Sequence, residues 1–139
     1  MINGKIVDTS VWIDYFNAVI DVRTNFAADF IENNELYILP VILQEVLQGI
    51  RDEKIFFTTK KAFLQHPFVS YNEIEMAVEA ASLFRFLKTK GITIRKPNDC
   101  LIAAICIKNK LSLLHNDKDF DNIAKHTSLK IYKINNGKN

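Results

Sequence analysis

The sequence predicts an α/β fold in which a parallel β-sheet is covered by helices on both faces. Short apolar runs that suit buried strands alternate along the chain with longer segments whose apolar residues recur at helical spacing. The first and fourth strand candidates, residues 5–7 and 111–114, are mainly apolar without an alternating polar face, which is typical of parallel strands. No repeat or linker divides the chain, so we expect one domain over residues 1–134 and a polar tail over 135–139.

In the first half of the chain, strand signals and helix signals alternate. A strand at residues 5–7 is expected to end at Asp8, and Thr9 or Ser10 is expected to cap a helix that begins near residue 11. Pro40 suits the first turn of a later helix. The other elements expected here are helices at 21–33, 40–49 and 52–64 and β-prone runs at 36–39 and 68–71.

In the second half, polar caps and glycine mark the ends of two helices. Asn72 followed by Glu75 resembles a capping box, and it predicts a long helix that Gly91 ends. Asn98 is expected to cap a helix at 99–108, which is apolar on all sides and should therefore be buried against the sheet. The remaining expected elements are a strand at 111–114, a short helix at 120–125 and a last strand at 129–134.

Composition and charge narrow the possible functions. The chain has 139 residues, of which 48% are hydrophobic and 24% are charged, values typical of a globular domain. The net charge is only +2, so binding of nucleic acid would depend on a local basic patch or on a bound metal. The longest apolar runs are shorter than a membrane span, and the first residues lack a signal-peptide pattern. We therefore expect no membrane association and a cytoplasmic location.

The two cysteines are expected to be buried free thiols. Cys100 and Cys106 are six residues apart in one predicted helix, which separates them by about 9 Å along its axis, too far for a disulfide. Neither has partners at a spacing typical of zinc sites.

Four acidic residues from distant parts of the chain are candidates for one functional site. Asp8 and Asp117 follow two predicted strands, and ligands of parallel sheets bind at the carboxyl ends of the strands. Glu45 lies one turn into the predicted helix that starts near Pro40, and Asp99 lies at the start of the predicted helix at 99–108. Each acid also has an ordinary explanation, as a cap, a turn residue, a residue favoured by the helix dipole or a member of a solvated face.

Together the four acids indicate a metal site. Carboxylates placed in one cleft, with few basic residues near them in sequence, would repel each other unless a divalent cation offset their charge. Oxygen ligands suit Mg²⁺, with Mn²⁺ as a substitute, and no histidine pair at helical spacing favours zinc. Such a site, with one or two ions, can direct a water at a phosphodiester.

Four segments of the chain carry a resemblance to a known family. They are residues 7–13 (VDTSVWI), 39–40 with 44–49 (LP and QEVLQG), 98–104 (NDCLIAA) and 114–120 (LHNDKDF). In this order and spacing the chain resembles the PIN-domain proteins over nearly its whole length, and specifically the VapC-type toxin ribonucleases of toxin–antitoxin pairs.

The resemblance implies a three-layer α/β/α sandwich with a central, mostly parallel sheet. It also implies a Mg²⁺- or Mn²⁺-dependent endoribonuclease that cleaves RNA with metal-activated water, a homodimer, and a cognate antitoxin that inserts into the active-site groove. By position, Asp8, Glu45 and Asp99 match the first three acids of the family. For the fourth acid we prefer Asp117, directly after the strand, over Asp119, which is expected to assist or to cap the next helix.

We expect Asp8, Asp99 and Asp117 to bind the metal. Glu45 is expected either to complete the metal shell or to accept a proton from the attacking water. A hydroxyl group follows Asp8 at each of the next two positions, Thr9 and Ser10, and one of these hydroxyls is expected to hydrogen-bond either the carboxylates or a metal-bound water.

Three further residues near the acids have open roles. His115 stands where the family usually has Thr or Ser, and it either titrates near substrate or simply has a local partner. Arg95 and Lys96 are candidates for binding substrate phosphates, the alternative being two solvated charges.

Two other function classes remain as alternatives. A PIN-like module that binds RNA or a partner without cutting it would normally have lost some of its acids. A Mg²⁺-dependent phospho-accepting signalling domain would need adjacent acids after the first strand, where this chain has only Asp8. The identity of the RNA and of the antitoxin stays open.

Overall fold

A short parallel sheet flanked by helices forms the centre of the structure. The computed structural model describes residues 4–134, so the predicted tail at 135–139 lies outside the described residues. The strands run in the order β1 (Lys5–Val7), β2 (Ser112–Leu114) and β3 (Lys130–Ile131). The helices are α1 Thr9–Phe16, α2 Val22–Glu32, α3 Pro40–Gln48, α4 Glu53–Phe63, α5 Glu73–Thr89, α6 Pro97–Asn109 and α7 Lys118–His126. A parallel sheet flanked by helices confirms the predicted α/β/α class.

The order of the strands reverses between β1 and β2. β1 pairs with β2 and β2 with β3, all in parallel. On the other edge of β1, Lys5 forms a parallel bridge with Leu36, and Ile38 forms another with Phe68. The chain therefore extends from β1 towards one edge and later returns to the opposite side of β1 to form β2. Ligand sites of such sheets lie where this reversal occurs, at the carboxyl ends of the two strands.

The buried core fixes α6 against the rest of the domain. Seven residues of α6 are buried, and this confirms the prediction that an all-apolar helix is covered. Cys100 and Cys106 are buried free thiols, as predicted. Burial is the main cause that raises the pKa of the Cys100 thiol to about 11, so the group is protonated at neutral pH. Within residues 4–134, no helix has the length and apolar character needed to cross a membrane.

Two predicted helix caps and three predicted strands are wrong in detail. α1 begins at Thr9 and is capped by Asp8, whose side chain accepts a hydrogen bond from the Ser10 N–H. α6 begins at Pro97, and Asn98 lies inside its first turn instead of capping it. The run at 36–39 and the extended segment at 68–71 contribute single bridges, and the last strand is limited to Lys130–Ile131. Strand length depends on neighbouring strands, which local sequence does not specify.

Candidate active site

The loops that follow β1 and β2 are tied together at the reversal point of the sheet. The backbone N–H of Asp8 donates to the carbonyl of Leu114 at 2.9 Å, which continues the pairing to the last residue of β2. Beyond the strands, the N–H of Asn116 donates to Oγ of Ser10 at 3.0 Å. The carboxyl ends of both strands therefore form one edge, from which the predicted acids project.

Asp8 is a buried carboxylate that is oriented by its neighbour. Its Oδ2 accepts hydrogen bonds from the backbone N–H of Ser10 at 3.1 Å and from the Ser10 hydroxyl at 2.6 Å. Burial raises the pKa of Asp8, and the charge of Glu45 adds to this effect although the Ser10 bonds oppose it. Asp8 thus caps α1 and also faces the other acids, so its two predicted roles coexist.

Glu45 is held at the site by two side chains from other elements. The Thr9 hydroxyl donates to Oε1 at 2.6 Å, and Nδ2 of Asn98 donates to Oε2 at 3.1 Å. Because both carboxylate oxygens have donors, Glu45 is not a member of a solvated face. The sequence interpretation missed Asn98 as a site residue. A signal was present, because Pro97 suits the first helical position and has no N–H that needs a cap. Asn98 then lies inside the helix, where its side chain is available for another partner.

Asp99, Asp117 and Asp119 form the tightest acidic group among the described residues. One oxygen from each carboxylate lies within 4.8 Å of the others. Asp99 and Asp119 are buried, and Oδ2 of each lacks a hydrogen-bond partner within residues 4–134. Burial, followed by the charges of Asp8 and Asp117, raises the pKa of Asp99 to about 7.

Asp117 is the half-buried member of this group, and a lysine offsets the charge of its carboxylate. Its Oδ1 accepts from the N–H of Asp119 at 2.9 Å, and its Oδ2 accepts from Nζ of Lys96 at 3.0 Å. Burial works to raise the pKa of Asp117, but the Asp119 N–H and the Lys96 ammonium outweigh it and hold the pKa below its usual value. Asp117 is therefore the residue that caps α7. The expectation that Asp119 serves as that cap is wrong, and both acids belong to the cluster.

The two cations that are candidates for binding substrate phosphates, Arg95 and Lys96, lie against the acids. Lys96 donates to Asp117, and this hydrogen bond is the main cause that raises the Lys96 pKa. Nε of Arg95 lies 3.9 Å from Oδ2 of Asp119. Few basic residues were expected near the acids along the chain, and folding brings two of them close in space, because the loop before α6 contacts the start of α7. Both side chains remain mostly exposed at the mouth of the site.

His115 is a buried residue with local partners. Its Nδ1 accepts the N–H of Asp117 at 3.0 Å, so the proton of the neutral ring is on Nε2, which lies 3.3 Å from Oδ1 of Asp121. Burial lowers the pKa of His115 and outweighs the nearby carboxylate. The ring therefore fixes the turn that presents Asp117 and stays neutral at neutral pH.

The donor set fits a hard divalent cation. Buried polar atoms without hydrogen bonds are rare and costly in folded proteins, and among the described residues this site has two such atoms on carboxylates. Asp99, Asp117 and Asp119 would hold the ion, with Asp8 beside them. Carboxylate oxygens alone, without thiolate or imidazole, are the ligand type of Mg²⁺ or Mn²⁺.

Comparisons with known proteins give the family. A PIN-domain family model matches residues 5–126. VapC ribonuclease Mb1587 from Mycobacterium bovis and ribonuclease VapC11 from Mycobacterium tuberculosis are each 31% identical over 129 residues, covering 89% of this chain and 94% of theirs.

Solved structures show the same fold. The structure of DNA-bound VapBC from Salmonella typhimurium matches with a TM-score of 0.73 and 18% identity, over 93% of this chain and 96% of that one. VapBC2 from Rickettsia felis, bound to a promoter DNA fragment, matches with a TM-score of 0.72 and 20% identity, over 92% and 96%. The family match over most of the chain and the identity to two VapC ribonucleases together show that this chain belongs to the PIN-domain family, among its VapC-type ribonucleases.

Proposed function

We propose that this protein is a Mg²⁺- or Mn²⁺-dependent endoribonuclease and the toxin of a toxin–antitoxin pair. The observation that carries the proposal is the group of Asp99, Asp117 and Asp119 at the reversal point of the sheet, with two buried oxygens that have no hydrogen-bond partner within residues 4–134. Buried carboxylates in stable cores are normally hydrogen-bonded or paired. Among the described residues, Oδ2 of Asp99 has neither kind of partner, and Oδ2 of Asp119 has only the exposed Arg95 at 3.9 Å. A bound cation removes this cost.

The acids differ in what they contribute. Asp99 and Asp119 offer the unpartnered oxygens, while Asp117 is partly satisfied by Lys96 and by the start of α7. Asp8 is presented by Ser10 and has a raised pKa because it is buried near Glu45. When bound, the ion would supply charge stabilisation at the scissile phosphate and lower the pKa of an attacking water.

Glu45 is placed to accept a proton. Thr9 and Asn98 each donate a hydrogen bond to its carboxylate, and these bonds fix its orientation while leaving lone pairs free. A positioned carboxylate of this kind can act as a general base for water, the alternative being a place in the ligand set of the ion. In-line attack would leave a 5′-phosphate and a 3′-hydroxyl.

Lys96 and Arg95 lie at the mouth of the site, where a phosphate would enter. Lys96 must then exchange its bond to Asp117 for one to the substrate, and a bound cation favours this exchange because it competes for the same carboxylate. Removal of either cation should weaken RNA binding without abolishing the chemistry.

The partner we propose is an antitoxin that docks beside Glu45. Several structural neighbours are complexes of VapB with VapC, although their low identity makes them a guide to fold alone. This chain has a groove of about 460 Å³ that contains Glu45. Its apolar wall is formed by Ile13, Phe16, Val46, Ile50 and Ile55. An amphipathic helix would cover this wall and block access to the acids. A homodimer remains a prediction, to be measured by light scattering.

The deciding experiment is cleavage of structured RNA by the purified chain. Wild type with Mg²⁺ or Mn²⁺ should cleave and leave 5′-phosphate ends, while Asp8→Asn and Asp99→Asn should not. Asp29→Asn removes an exposed carboxylate from α2 and is the matched control, with activity expected to equal that of wild type. Cleavage that persists in EDTA, or products with cyclic phosphate ends, would contradict the mechanism. Binding of RNA without any cleavage would favour the catalytically silent module.

A further inference from the structure

A second cleft adjoins the acid cluster on the β3 side of the sheet and shares Asp117 with it. The cleft has a volume of about 610 Å³. Its walls come from α2, from the loop between β2 and α7, and from the residues that follow β3. A polymer that enters the acid cluster would continue into this space, because Asp117 forms part of both.

Three cations from different elements line this cleft. They are Arg23 on α2, Lys118 at the start of α7 and Lys133 after β3. Two acids also line the cleft: Asp117 is paired with Lys96, whereas Asp121 is exposed and faces the neutral His115. With three cations against these two acids, the lining carries a small excess of positive charge. It is the local basic patch that a chain of net charge +2 would need in order to bind nucleic acid.

Arg23 is the cation with the most defined geometry. It is half-buried, and its Nε donates to the backbone oxygen of His115 at 2.8 Å. Within the described part of the chain, the two Nη atoms have no hydrogen-bond or ion-pair partner. A guanidinium held by Nε leaves donors in one plane, and a phosphate accepts from such a fork with two parallel bonds. Partial burial strengthens this interaction because water competes less for the same groups.

We propose that this cleft is an RNA subsite that binds the strand next to the scissile phosphate, with Arg23 as its phosphate anchor. Lys118 and Lys133 contribute longer-range attraction, because both are exposed and carry mobile ammonium groups. The inference rests on the proposed ribonuclease function. It deepens that function by assigning binding of the RNA backbone to residues outside the acid cluster.

The test separates binding from cleavage by the use of two backgrounds. In the Asp99→Asn background, where no cleavage is expected, fluorescence anisotropy measures the affinity for short single-stranded RNA of random sequence over a series of salt concentrations. In the wild-type background, the same substitutions are compared by kcat and KM on structured RNA. The variants are Arg23→Gln, Arg23→Lys and Lys133→Gln. Lys61→Gln, an exposed lysine on α4 near the opposite edge of the sheet, is the control.

We expect Arg23→Gln to weaken RNA binding about tenfold. The slope of the logarithm of the binding constant against the logarithm of the salt concentration should become less steep by about 0.7, the value for one lost phosphate contact to a single strand. KM should rise while kcat changes little, and Arg23→Lys should recover part of the affinity. Lys133 makes no structural hydrogen bond in the described residues. Lys133→Gln should therefore weaken RNA binding about two- to threefold without changing the stability of the protein. This variant tests the subsite even if Arg23→Gln unfolds the protein.

Two results would overturn the inference. One is unchanged RNA affinity in folded Arg23→Gln and Lys133→Gln, and the other is an equal loss in Lys61→Gln, which would indicate diffuse attraction. If wild type cleaves RNA and the Arg23 and Lys133 variants bind RNA with unchanged affinity, the subsite is refuted and the proposed ribonuclease function is not. If wild type cleaves no RNA, the proposed function fails, and the anisotropy series still decides whether the cleft binds RNA.

Discussion

Replacement of Asp99 by asparagine should stabilise the metal-free protein while it abolishes cleavage. Asp99 is 4% exposed, its Oδ2 lacks a partner, and it lies among carboxylates whose charges repel its own. Burial of the charge is the larger cause of the raised pKa of Asp99, and repulsion by Asp8 and Asp117 adds to it. A neutral amide of the same shape removes both costs and can donate hydrogen bonds to the neighbouring acids. The predicted gain in stability therefore reports both costs together.

The magnitude follows from the raised pKa of Asp99. Between pH 3.8 and about 7, the folded state binds more protons than the unfolded state, so the free energy of unfolding falls as pH rises through this window. Above the window, the full difference corresponds to at most about 4 kcal/mol, at about 1.4 kcal/mol for each pKa unit. We expect Asp99→Asn to recover about 1–3 kcal/mol of this, since the amide remains buried, and to raise Tm by roughly 4–10 °C at about pH 8.

Thermal unfolding in EDTA at several pH values tests this reasoning. The difference in Tm between Asp99→Asn and wild type should be largest above about pH 7 and should vanish below about pH 3, where both states of the wild type hold the proton. Added Mg²⁺ should raise the Tm of wild type and not that of the variant. The control Asp29→Asn should stay within about 0.5 kcal/mol of wild type. A variant that melts at or below the wild-type temperature at the higher pH would refute the proposed strain.

Three further predictions concern single contacts. Glu45→Gln should lower the single-turnover rate of cleavage by at least about 100-fold with little change in Tm. Thr9→Val should lower this rate less, because Asn98 still holds the carboxylate of Glu45. Equal losses of rate in the two variants would argue against Glu45 as the proton acceptor. Lys96→Met should raise the pKa of Asp117 and increase Mg²⁺ affinity several-fold by calorimetry, because the ammonium no longer competes for Oδ2; weaker binding of the ion would contradict that competition. Phe120→Ala should lower the free energy of unfolding in urea by about 3–5 kcal/mol, since this fully buried ring packs against His115; a loss below about 1 kcal/mol would mean that the site edge does not depend on this packing.

Most helices were predictable because their signals are local. Asp21, Asp52 and Asn72 each cap a helix by accepting from the backbone N–H three residues ahead, so the cap and its partner lie in the same stretch of sequence. α5 begins directly after Asn72, and Gly91 follows just beyond its end. The position of Asp8 after an apolar strand was predictable for the same reason.

The errors concern residues whose partners are distant in sequence. Asn98 was expected to cap its own helix, yet its amide binds Glu45, 53 residues away. The hydrogen bond of Lys96 to Asp117, which belongs to a different element, was not predicted, and the expected role of Lys96 in phosphate binding stays a prediction. In both cases a polar side chain has a local option and a remote option, and only the fold determines which acceptor is closer.

The order of the residues by itself determined the helices, the apolar strands and the presence of acids at strand ends, because those features depend on spacing and on caps within a few residues. Only the tertiary structure decided that Asp99, Asp117 and Asp119 share one small volume, and that Lys96 pairs with Asp117. It also decided that two oxygens of this group are buried with no hydrogen-bond partner among the described residues. The physical reason is that burial and electrostatic repulsion depend on distance in space. The pKa of a carboxyl group rises when folding removes water from it and brings other negative charges close to it. Its oxygens lose their hydrogen bonds for the same reason, because water no longer reaches them.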